Sequence, residues 1–550
     1  MALHWKSCFI LSLCFPLLAF SRSSSSETFD EELTVRAMRD GKVASRFSFS
    51  TLLEGATPRN PQNLSTEDDS TAQHYTLFPL TLGQILREYA VTELHLTLNA
   101  GKWDYERWGY PDEPDVGTGA ELWAWMGEGG STTVDARWRG LRNALAGLFC
   151  ASLGSLDELR TTSPALAFAP QGGLPDWEHP HAVRHASLPS EHVCTENLTP
   201  FLKLLPCKAR AGIARLLNPH RLFDADWHGM GLHVVWLPDA GVQVRLTFQS
   251  VADPLRPASH RRDWSFASIF DRTIDTTCPS ATTSRVVVSL PVNDAYSLSP
   301  QPASLEADRA VFDLAQHTED LPLDVSMRWD VPFLHAAGAS EAPLSIRRTL
   351  LGPTQDYGTL AVSITNAGPA AVRAAYLETM PWIVTFYLHT LVLRVDGELR
   401  PDLLESLTYT PPVPHARATT LEAVLLLPPR STLSLRVGVT KAFLRYTEHP
   451  PDAQRGWDLP PAVLVPLASL PALNSSHSSP SHSNAHNAHD APPTHAQRIY
   501  TPALLVDLAT PDFSMPYNVI IFSCSVVAFI FGSVFNLLSR RFVVLEVGEK

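Results

Sequence analysis

YNVIIFSCSVVAFIFGSVFNLL, residues 517–538, is a run of 22 residues without a charged side chain, and it ends 12 residues before the C-terminus. An α-helix rises 1.5 Å per residue, so about 20 apolar residues are enough to cross a hydrocarbon core of about 30 Å. The run is apolar on all sides, whereas a helix packed on a soluble core keeps a polar face. This stretch therefore predicts a transmembrane helix near the end of the chain.

The residues after this run predict the orientation of the helix in the membrane. Arg540 and Arg541 follow almost at once, and the positive-inside rule places residues 539–550 in the cytosol as a short tail. A GPI-attachment signal also ends in a hydrophobic tail, but that tail normally reaches the C-terminus. Here the basic pair and an acidic EVGEK sequence follow it, as in a stop-transfer anchor.

Residues 1–21 have the features of a secretory signal peptide. Lys6 precedes an apolar segment over residues 8–20, and Ala-Phe-Ser at residues 19–21 forms a cleavage site with small residues at its first and third positions. Removal of this segment leaves a single-pass type I protein whose bulk is lumenal.

Charge and cysteine content restrict the possible functions further. A net charge of −13 and a pI near 5.9 argue against nucleic-acid binding, which needs a concentrated basic face. Of the seven cysteines, two leave with the signal peptide and one lies in the predicted span. The other four allow three internal pairings in an oxidising lumen, or a bond to another chain; they are Cys150, Cys194, Cys207 and Cys278.

Short alternating segments predict the fold class. Residues 93–98 (ELHLTL) alternate with period two, as in a half-buried strand. Residues 232–237 and 242–248 flank a Pro-Asp-Ala-Gly turn and predict a hairpin. The spacing of the later strands is typical of antiparallel β-sandwiches. We therefore expect a mainly β fold with an α/β N-terminal part, antiparallel β-sandwich lumenal domains and one C-terminal transmembrane helix.

The same patterns predict the division of the chain into segments. After the signal peptide come an N-terminal lumenal α/β domain (22–226), a β-sandwich region (227–473), a disordered Ser/His-rich loop (474–498), a membrane-proximal strand and joint (499–516), the transmembrane helix (517–538) and the tail (539–550). The loop has almost no apolar residues with which to offset the entropy of ordering. Its histidines are irregularly spaced, with no cysteine or carboxylate set to complete a metal site, so no metal is expected.

Three Asn-x-Ser/Thr sequons predict N-glycosylation in the lumenal part, at Asn63, Asn197 and Asn474. No cofactor motif and no catalytic motif accompanies them: the chain has no Gly-x-Ser-x-Gly elbow, phosphate loop, His-Glu-x-x-His or dinucleotide fingerprint. His192 lies two residues from Cys194, but catalytic Cys/His pairs are usually distant in sequence and need an oxyanion hole. A role in a disulfide is the better interpretation of that cysteine.

Several long blocks resemble a known family, the PIG-T subunits of the GPI transamidase. The blocks are EHVCTENLTPFLKLLPC (191–207), DWSFASIFDRT (263–273), VPFLHA (331–336), MPWIVTFYLHTL (380–391) and TPDFSMPYNV (510–519). The resemblance implies an ER-membrane protein in a complex with a caspase-like catalytic subunit (PIG-K), PIG-S, PIG-U and a GPAA-type subunit. That complex cleaves a C-terminal signal from a proprotein and joins the new carboxyl group to the GPI ethanolamine.

The resemblance also implies a role within the complex. A PIG-T-like subunit is not the peptidase; it stabilises the complex and is disulfide-linked to the catalytic subunit, here through Cys194, with the Asn197 glycan near the interface. A single-span lumenal carbohydrate- or peptide-binding receptor with a β-sandwich ectodomain stays as the alternative function.

Polar side chains at the membrane joint suggest a contact with GPI. Asp512, Ser514 and Asn518 lie where a GPI glycan head would meet the lumenal lipid boundary, and such groups can bond sugar hydroxyls or an ammonium group. The alternative is that Asp512 and Ser514 cap the anchor helix and Pro516 starts it.

Overall fold

The computed structural model describes residues 27–64, 75–255, 261–291, 295–306, 308–316, 321–333, 342–352, 354–450, 455–467, 497–510, 514–542 and 545. The predicted signal peptide (1–21) and nearly all of the predicted Ser/His-rich loop (474–498) lie outside these residues, as do Asn474 and Asp512.

The N-terminal part of the fold combines strands with short helices. Its strands are β1 Glu27–Ala37, β2 Val43–Glu54, β3 Val91–Ala100, β4 Gly119–Gly127, β5 His181–Leu188, β6 Trp227–Leu237, β7 Gly241–Ala252, β8 Trp264–Ser265, β9 Thr283–Ser289, β10 Tyr296–Ser299, β11 Ser304–Leu305, β12 Arg309–Asp313 and β13 Ser326–Trp329. Its helices are α1 Leu80–Glu88, α2 Tyr105–Trp108, α3 Val134–Phe149, α4 Thr195–Leu204, α5 Pro219–Leu222 and α6 Phe266–Phe270.

Ten of these strands form one large sheet within the described residues. Its order is β11-β12-β9-β1-β2-β7-β6-β3-β4-β5, and neighbours are antiparallel except for β1 and β9, which are parallel. The hairpin predicted around the Pro-Asp-Ala-Gly turn is confirmed, because β6 and β7 pair from Trp227 opposite Val251 to Leu237 opposite Gly241.

The centre of this sheet is buried on both faces. On one face Leu94 and Leu122 belong to the same core as the apolar side chains of α3 and α4. On the other face Trp123 and Trp125 belong to the core of the second half of the chain. The strand predicted over residues 93–98 is therefore present as β3, but it is not half-buried: its polar face is covered too, which the alternation of one strand cannot reveal.

The second half of the described chain is a β-sandwich. Its strands are β14 Leu344–Leu351, β15 Tyr357–Asn366, β16 Val372–Met380, β17 Val384–Val395, β18 Glu398–Leu399, β19 Leu404–Thr410, β20 Thr419–Leu427, β21 Ser431–Lys441, β22 Trp457–Leu459, β23 Val463–Pro466, β24 Ile499–Tyr500 and β25 Leu504–Val506. Two five-stranded sheets, β14-β15-β21-β17-β18 and β19-β20-β16-β23-β24, face each other across a core of Leu, Val and Ile side chains. The mainly β, antiparallel fold class is confirmed.

The boundary predicted at residue 226 falls inside the ten-stranded sheet. β6 pairs with β3 on one side and with β7 on the other, so the sheet continues past this point to β12. Periodicity identifies a strand but not the strands it pairs with. The predicted division therefore grouped β6 and β7 with the later strands of the β-sandwich region. In the structure the sandwich begins with β14.

The last helix, α7 Ser514–Ser539, carries the predicted membrane span. Its segment Tyr517–Ser539 has a mean hydropathy of 2.2, and none of it is buried against the rest of the protein. A helix of this length extends about 35 Å, enough to cross the apolar part of a bilayer. The structure thus supports a candidate span by length, composition and exposure.

Candidate functional site

Cys194 lies at the surface, at the residue that caps the N-terminus of α4. Its backbone is extended, with φ −138° and ψ 178°, and the helix begins at the next residue. Cys194 is exposed and has no disulfide partner among the described residues. Its thiol is therefore accessible to another molecule.

Cys150 lies close to Cys194 at the end of the preceding helix. It caps the C-terminus of α3 in the left-handed conformation, with φ +53°, and it is also exposed and unpaired. A non-glycine residue adopts this conformation at a cost of about 1 kcal/mol, so neighbouring contacts must hold it there.

Asn197 connects the two helix ends. Its Nδ2 donates to the carbonyl oxygens of Phe149 at 2.8 Å and Cys150 at 3.3 Å. Its Oδ1 accepts from the backbone N–H of Cys194 at 2.7 Å. The side chain is only 1% exposed, although it belongs to a predicted glycosylation sequon.

The other two cysteines form an internal disulfide. Cys207, just after α4, is bonded to Cys278, just before β9, with their Cα atoms 6.0 Å apart. The sequence left the pairings open. The structure forms the Cys207–Cys278 bond and leaves Cys150 and Cys194 as the two free thiols of the body that the structure describes.

The other predicted sites are distributed over distant parts of the chain. Asn63 is exposed at the end of a single turn of 3₁₀ helix over Pro61–Asn63. At the membrane joint, Ser514 is the first residue of α7, and Asn518 is exposed in its first turns. Pro516 falls in the first turn, where a missing N–H costs nothing. Cys194, Asn63 and Asn518 thus lie on three different elements.

A buried charged cluster lies between the large sheet and the sandwich, and the sequence analysis did not identify it. Arg498 Nη1 donates to Asp115 Oδ1 at 2.6 Å, and the guanidinium lies 4.9 Å from the ring of Trp123 and 5.0 Å from that of Phe168. Beside it, Tyr500 Oη donates to Glu121 Oε2 at 2.7 Å. The polar residues of ELHLTL (93–98) were a partial signal for this cluster, because a ring nitrogen of His95 lies within 4.8 Å of the Asp115 carboxylate.

Charge pairing sets the ionisation of this cluster. Burial by itself would raise the pKa of Asp115, but the positive charge of Arg498 outweighs it and lowers the pKa to about 2. Burial would likewise raise the pKa of Glu113, and Arg245 and Arg46 lower it to about 2. Both carboxylates are thus ionised, and each is matched by guanidinium groups.

One part of the cluster has the residue types of a metal site. His95, His233 and Asp115 each place a possible ligand atom within 4.8 Å of the other two, and all three are buried. However, Nδ1 of His95 is hydrogen-bonded to Nδ1 of His233 at 2.9 Å, and Asp115 is paired with Arg498. These groups therefore bond mainly to one another as a polar network, although Nε2 of His233 is buried without a hydrogen-bond partner among the described residues. The neighbouring guanidinium disfavours a cation.

Two arrangements resemble catalytic groups, one buried and one at the surface. Thr162 Oγ1 lies 3.3 Å from His185 Nδ1, whose Nε2 lies 3.0 Å from Glu121 Oε1. All three are less than a tenth exposed, so the hydroxyl has no access to a substrate. His192, next to Cys194 in sequence, bonds through Nδ1 to the Asn99 carbonyl oxygen at 3.3 Å.

Comparison with known proteins gives consistent results along the whole chain. A family model described as the Gpi16 subunit, a GPI transamidase component, matches residues 12–263 and 253–550. The GPI-anchor transamidase component PIGT of Homo sapiens is 33% identical over 556 residues, which cover 94% of this chain and 91% of that protein. The GPI transamidase component PIG-T homolog of Schizosaccharomyces pombe is 32% identical and covers 97% of this chain and 94% of that protein.

More distant similarities add little. GPI transamidase component GPI16 of Saccharomyces cerevisiae is 28% identical over 95% of this chain and 90% of that protein. Among solved structures, the CBM3a-L domain with flanking linkers from scaffoldin cipA of the Clostridium thermocellum cellulosome is 14% identical. It covers 18% of this chain and 68% of its own, with a TM-score of 0.15, and at that score it carries no argument.

Proposed function

Because this chain belongs to the Gpi16 (PIG-T) family of GPI transamidase components, we propose that it is a non-catalytic subunit that stabilises the transamidase complex. Its partners are a caspase-like catalytic subunit (PIG-K), PIG-S, PIG-U and a GPAA-type subunit. The protein resides in the ER membrane as a single-pass type I protein, with its bulk lumenal and α7 as the anchor. The complex attaches GPI to proproteins.

The observation that carries this proposal is the accessible, unpaired thiol of Cys194. With Cys207 and Cys278 bonded to each other, Cys194 is free to form an intermolecular disulfide with the catalytic subunit. The bond forms when two thiols lose two protons and two electrons to a disulfide oxidant of the lumen, by thiol–disulfide exchange. The helical cap holds the thiol at the surface, where a partner can reach it.

Non-reducing electrophoresis of the purified complex tests the proposal, with Cys150 as the matched control. Both cysteines are exposed, unpaired and located at helix caps. We expect a heavier species that contains this chain and the catalytic subunit, lost in Cys194→Ser and retained in Cys150→Ser. Loss of the heavier species in Cys150→Ser alone would show that Cys150 carries the bond and would contradict the assignment to Cys194. A lone receptor would give no heavier species and no co-purified partners.

We also propose that the membrane joint contacts the GPI glycan through Asp512, Ser514 and Asn518. Asn518 is exposed near the start of α7, and its amide can both donate to and accept from sugar hydroxyls. Asn518→Ala is expected to reduce GPI loading while the complex stays intact, with Asn536→Ala at the other end of α7 as the control. Normal loading by the first variant would count against the contact.

The glycans predicted at Asn63 and Asn474 belong to the same proposal. Asn63 is exposed and can carry one, and Asn474 lies outside the described residues. Asn197 differs from both because its amide is buried.

A further inference from the structure

The amide of Asn197 is occupied on all sides. It offers two N–H donors and one carbonyl acceptor. The donors are directed at the Phe149 and Cys150 carbonyl oxygens, and the acceptor receives the Cys194 N–H. These contacts join the last turn of α3 to the first residue before α4.

A glycan at this position conflicts with those contacts. N-glycosylation replaces one hydrogen of Nδ2 with a sugar that must extend into solvent. Here Nδ2 faces two backbone carbonyls, and the side chain is 1% exposed. A sugar on Nδ2 would remove a hydrogen bond and separate the two helix ends. By contrast, Asn63 of the first sequon is exposed.

We propose that Asn197 is a positioning residue for Cys194, and that its sequon stays unglycosylated in the folded protein. The amide fixes the backbone of Cys194 against the end of α3 while the Cys194 side chain remains exposed. The glycan half of this inference stands alone; the positioning half rests on the proposed intermolecular disulfide.

Fixing that backbone matters because disulfides have strict geometry. The two Cα atoms must lie about 4.4–6.8 Å apart with a defined dihedral angle. A cysteine at an anchored helix cap presents its thiol from one backbone position, and a partner can be matched to that position. Loss of the anchor spreads the thiol over many positions and lowers the fraction that bonds.

The same amide also supports the strained end of α3. Cys150 has φ +53°, and its N–H bonds to the Ala146 carbonyl oxygen, closing the helix. The Asn197 Nδ2 donates to the carbonyl oxygens of the consecutive residues Phe149 and Cys150. One side chain thus holds both exposed cysteines in place.

Three variants of the full chain, expressed with its partners, test the inference. Thr199→Ala removes the sequon but leaves Asn197 intact. The Thr199 hydroxyl is exposed, and among the described residues it bonds only to the Thr195 carbonyl oxygen, at 3.3 Å. Asn197→Ala removes both the sequon and the anchor. Asn197→Asp keeps the acceptor for the Cys194 N–H but turns a carboxylate toward two carbonyl oxygens.

Two measurements are made on each variant: electrophoretic mobility with and without glycosidase, and the disulfide-linked fraction among the co-purified catalytic subunit. Thr199→Ala is expected to match the wild type in both. Asn197→Ala is expected to keep its mobility and its partners, and to lose about fivefold in disulfide-linked fraction, the factor equivalent to losing one helix-cap interaction.

The outcomes separate the two halves of the inference. A glycosidase-sensitive mobility shift caused by Thr199→Ala would overturn the glycan half. A wild-type disulfide fraction in Asn197→Ala would overturn the positioning half. If that variant is not recovered, Asn197→Asp decides in the same way. If Asn197→Ala and Asn197→Asp both lose the disulfide-linked species while Thr199→Ala keeps it, the amide of Asn197 itself is needed. If wild-type protein lacks any disulfide-linked species, the proposed function fails while the glycan result still holds.

Discussion

Glu31 lies in the middle of β1 with its carboxyl group closed off from water. Ser284 Oγ donates to its Oε1 at 2.5 Å and the Ile213 N–H donates at 3.2 Å, but within the described residues no Lys or Arg side chain pairs with it. Gly212, with φ +70°, lets the backbone approach so closely that a Cβ there would collide with the carboxyl group. Burial raises the pKa of Glu31 to about 7, even though both hydrogen bonds lower it.

This raised pKa gives stability a specific dependence on pH. The protonated acid is favoured in the folded state, so its contribution is complete below the ordinary pKa of 4.5 and is lost as pH rises through about 7. The difference corresponds to about 3 kcal/mol. Glu31→Gln is therefore expected to raise the free energy of unfolding at pH 8 and leave it nearly unchanged at pH 4, as measured by denaturant midpoints in detergent.

Glu32→Gln is the control for this experiment. Glu32 is the next residue along β1 and is paired with Arg46 at 3.3 Å. Its substitution should not reproduce the gain at pH 8. A Glu31→Gln variant with the same pH dependence as the wild type would show that the Glu31 carboxyl group is solvated.

At the scale of elements, the segment 497–508 fastens the C-terminal part of the chain to the large sheet. β24 pairs with β23 of the sandwich, while Arg498 and Tyr500 on the same segment bond to Asp115 and Glu121. The Tyr500 N–H also donates to the Tyr105 hydroxyl oxygen at 3.0 Å. The segment thus belongs to both halves of the protein.

Removing the charge of Asp115 tests this attachment. Asp115→Asn leaves the guanidinium of Arg498 buried without its counter-ion, which is expected to cost about 3–5 kcal/mol of unfolding free energy. The double variant Asp115→Asn, Arg498→Met should lose less than the two single variants summed. The exposed pair of Glu106 and Arg347 is the control: Glu106→Gln should cost under about 1 kcal/mol. Equal effects at both sites would refute the attachment.

Acid should weaken the same pair. The pKa of Asp115 is lowered from 3.8 to about 2 by Arg498, so its contribution is present above pH 3.8 and disappears as pH falls through about 2.

The elements also show how far sequence reasoning reaches. The hairpin of β6 and β7, the strand β3 and the apolar helix α7 follow from local pattern and turn residues. The partners of those strands do not, because Glu93 and His95 look like solvent-facing residues until the sandwich covers them. Arg498 likewise stands alone in sequence, and only the fold brings it to Asp115, whose Oδ1 lies 2.6 Å away.

The same limit applies to the candidate site. Cys194 was assigned by resemblance, and the structure shows that it is exposed and unpaired. The sequon at Asn197 depends on three residues only, so it carries no information on burial. Whether an Asn faces water or a neighbouring helix end is decided by the packing of α3 on α4.

At the scale of the whole molecule, a folded body precedes the one candidate span found among the described residues. The body has two cores, one on each side of the large sheet, and α7 contributes to neither. The proposed orientation puts the body in the lumen and the residues after α7 in the cytosol.

Protease protection in sealed microsomes tests this orientation. A tag at residue 550 should be removed by added protease, while the rest of the chain stays intact until detergent opens the vesicles. The glycosidase sensitivity of the Asn63 sequon gives an independent check, because N-glycans are added in the lumen. A protected C-terminal tag together with a digested body would reverse the assignment.

Only three residues separate Thr510 from Ser514, the last described residue of the body and the first of α7. Even if that link were fully extended, the Cα atoms of these two residues would be at most about 14 Å apart. Leu508, just before it, is buried in the second core. With α7 in the bilayer as proposed, this short link therefore keeps the end of the body close to the lipid surface. A catalytic subunit bonded to the body, as proposed, is then held near a substrate that stays in the membrane.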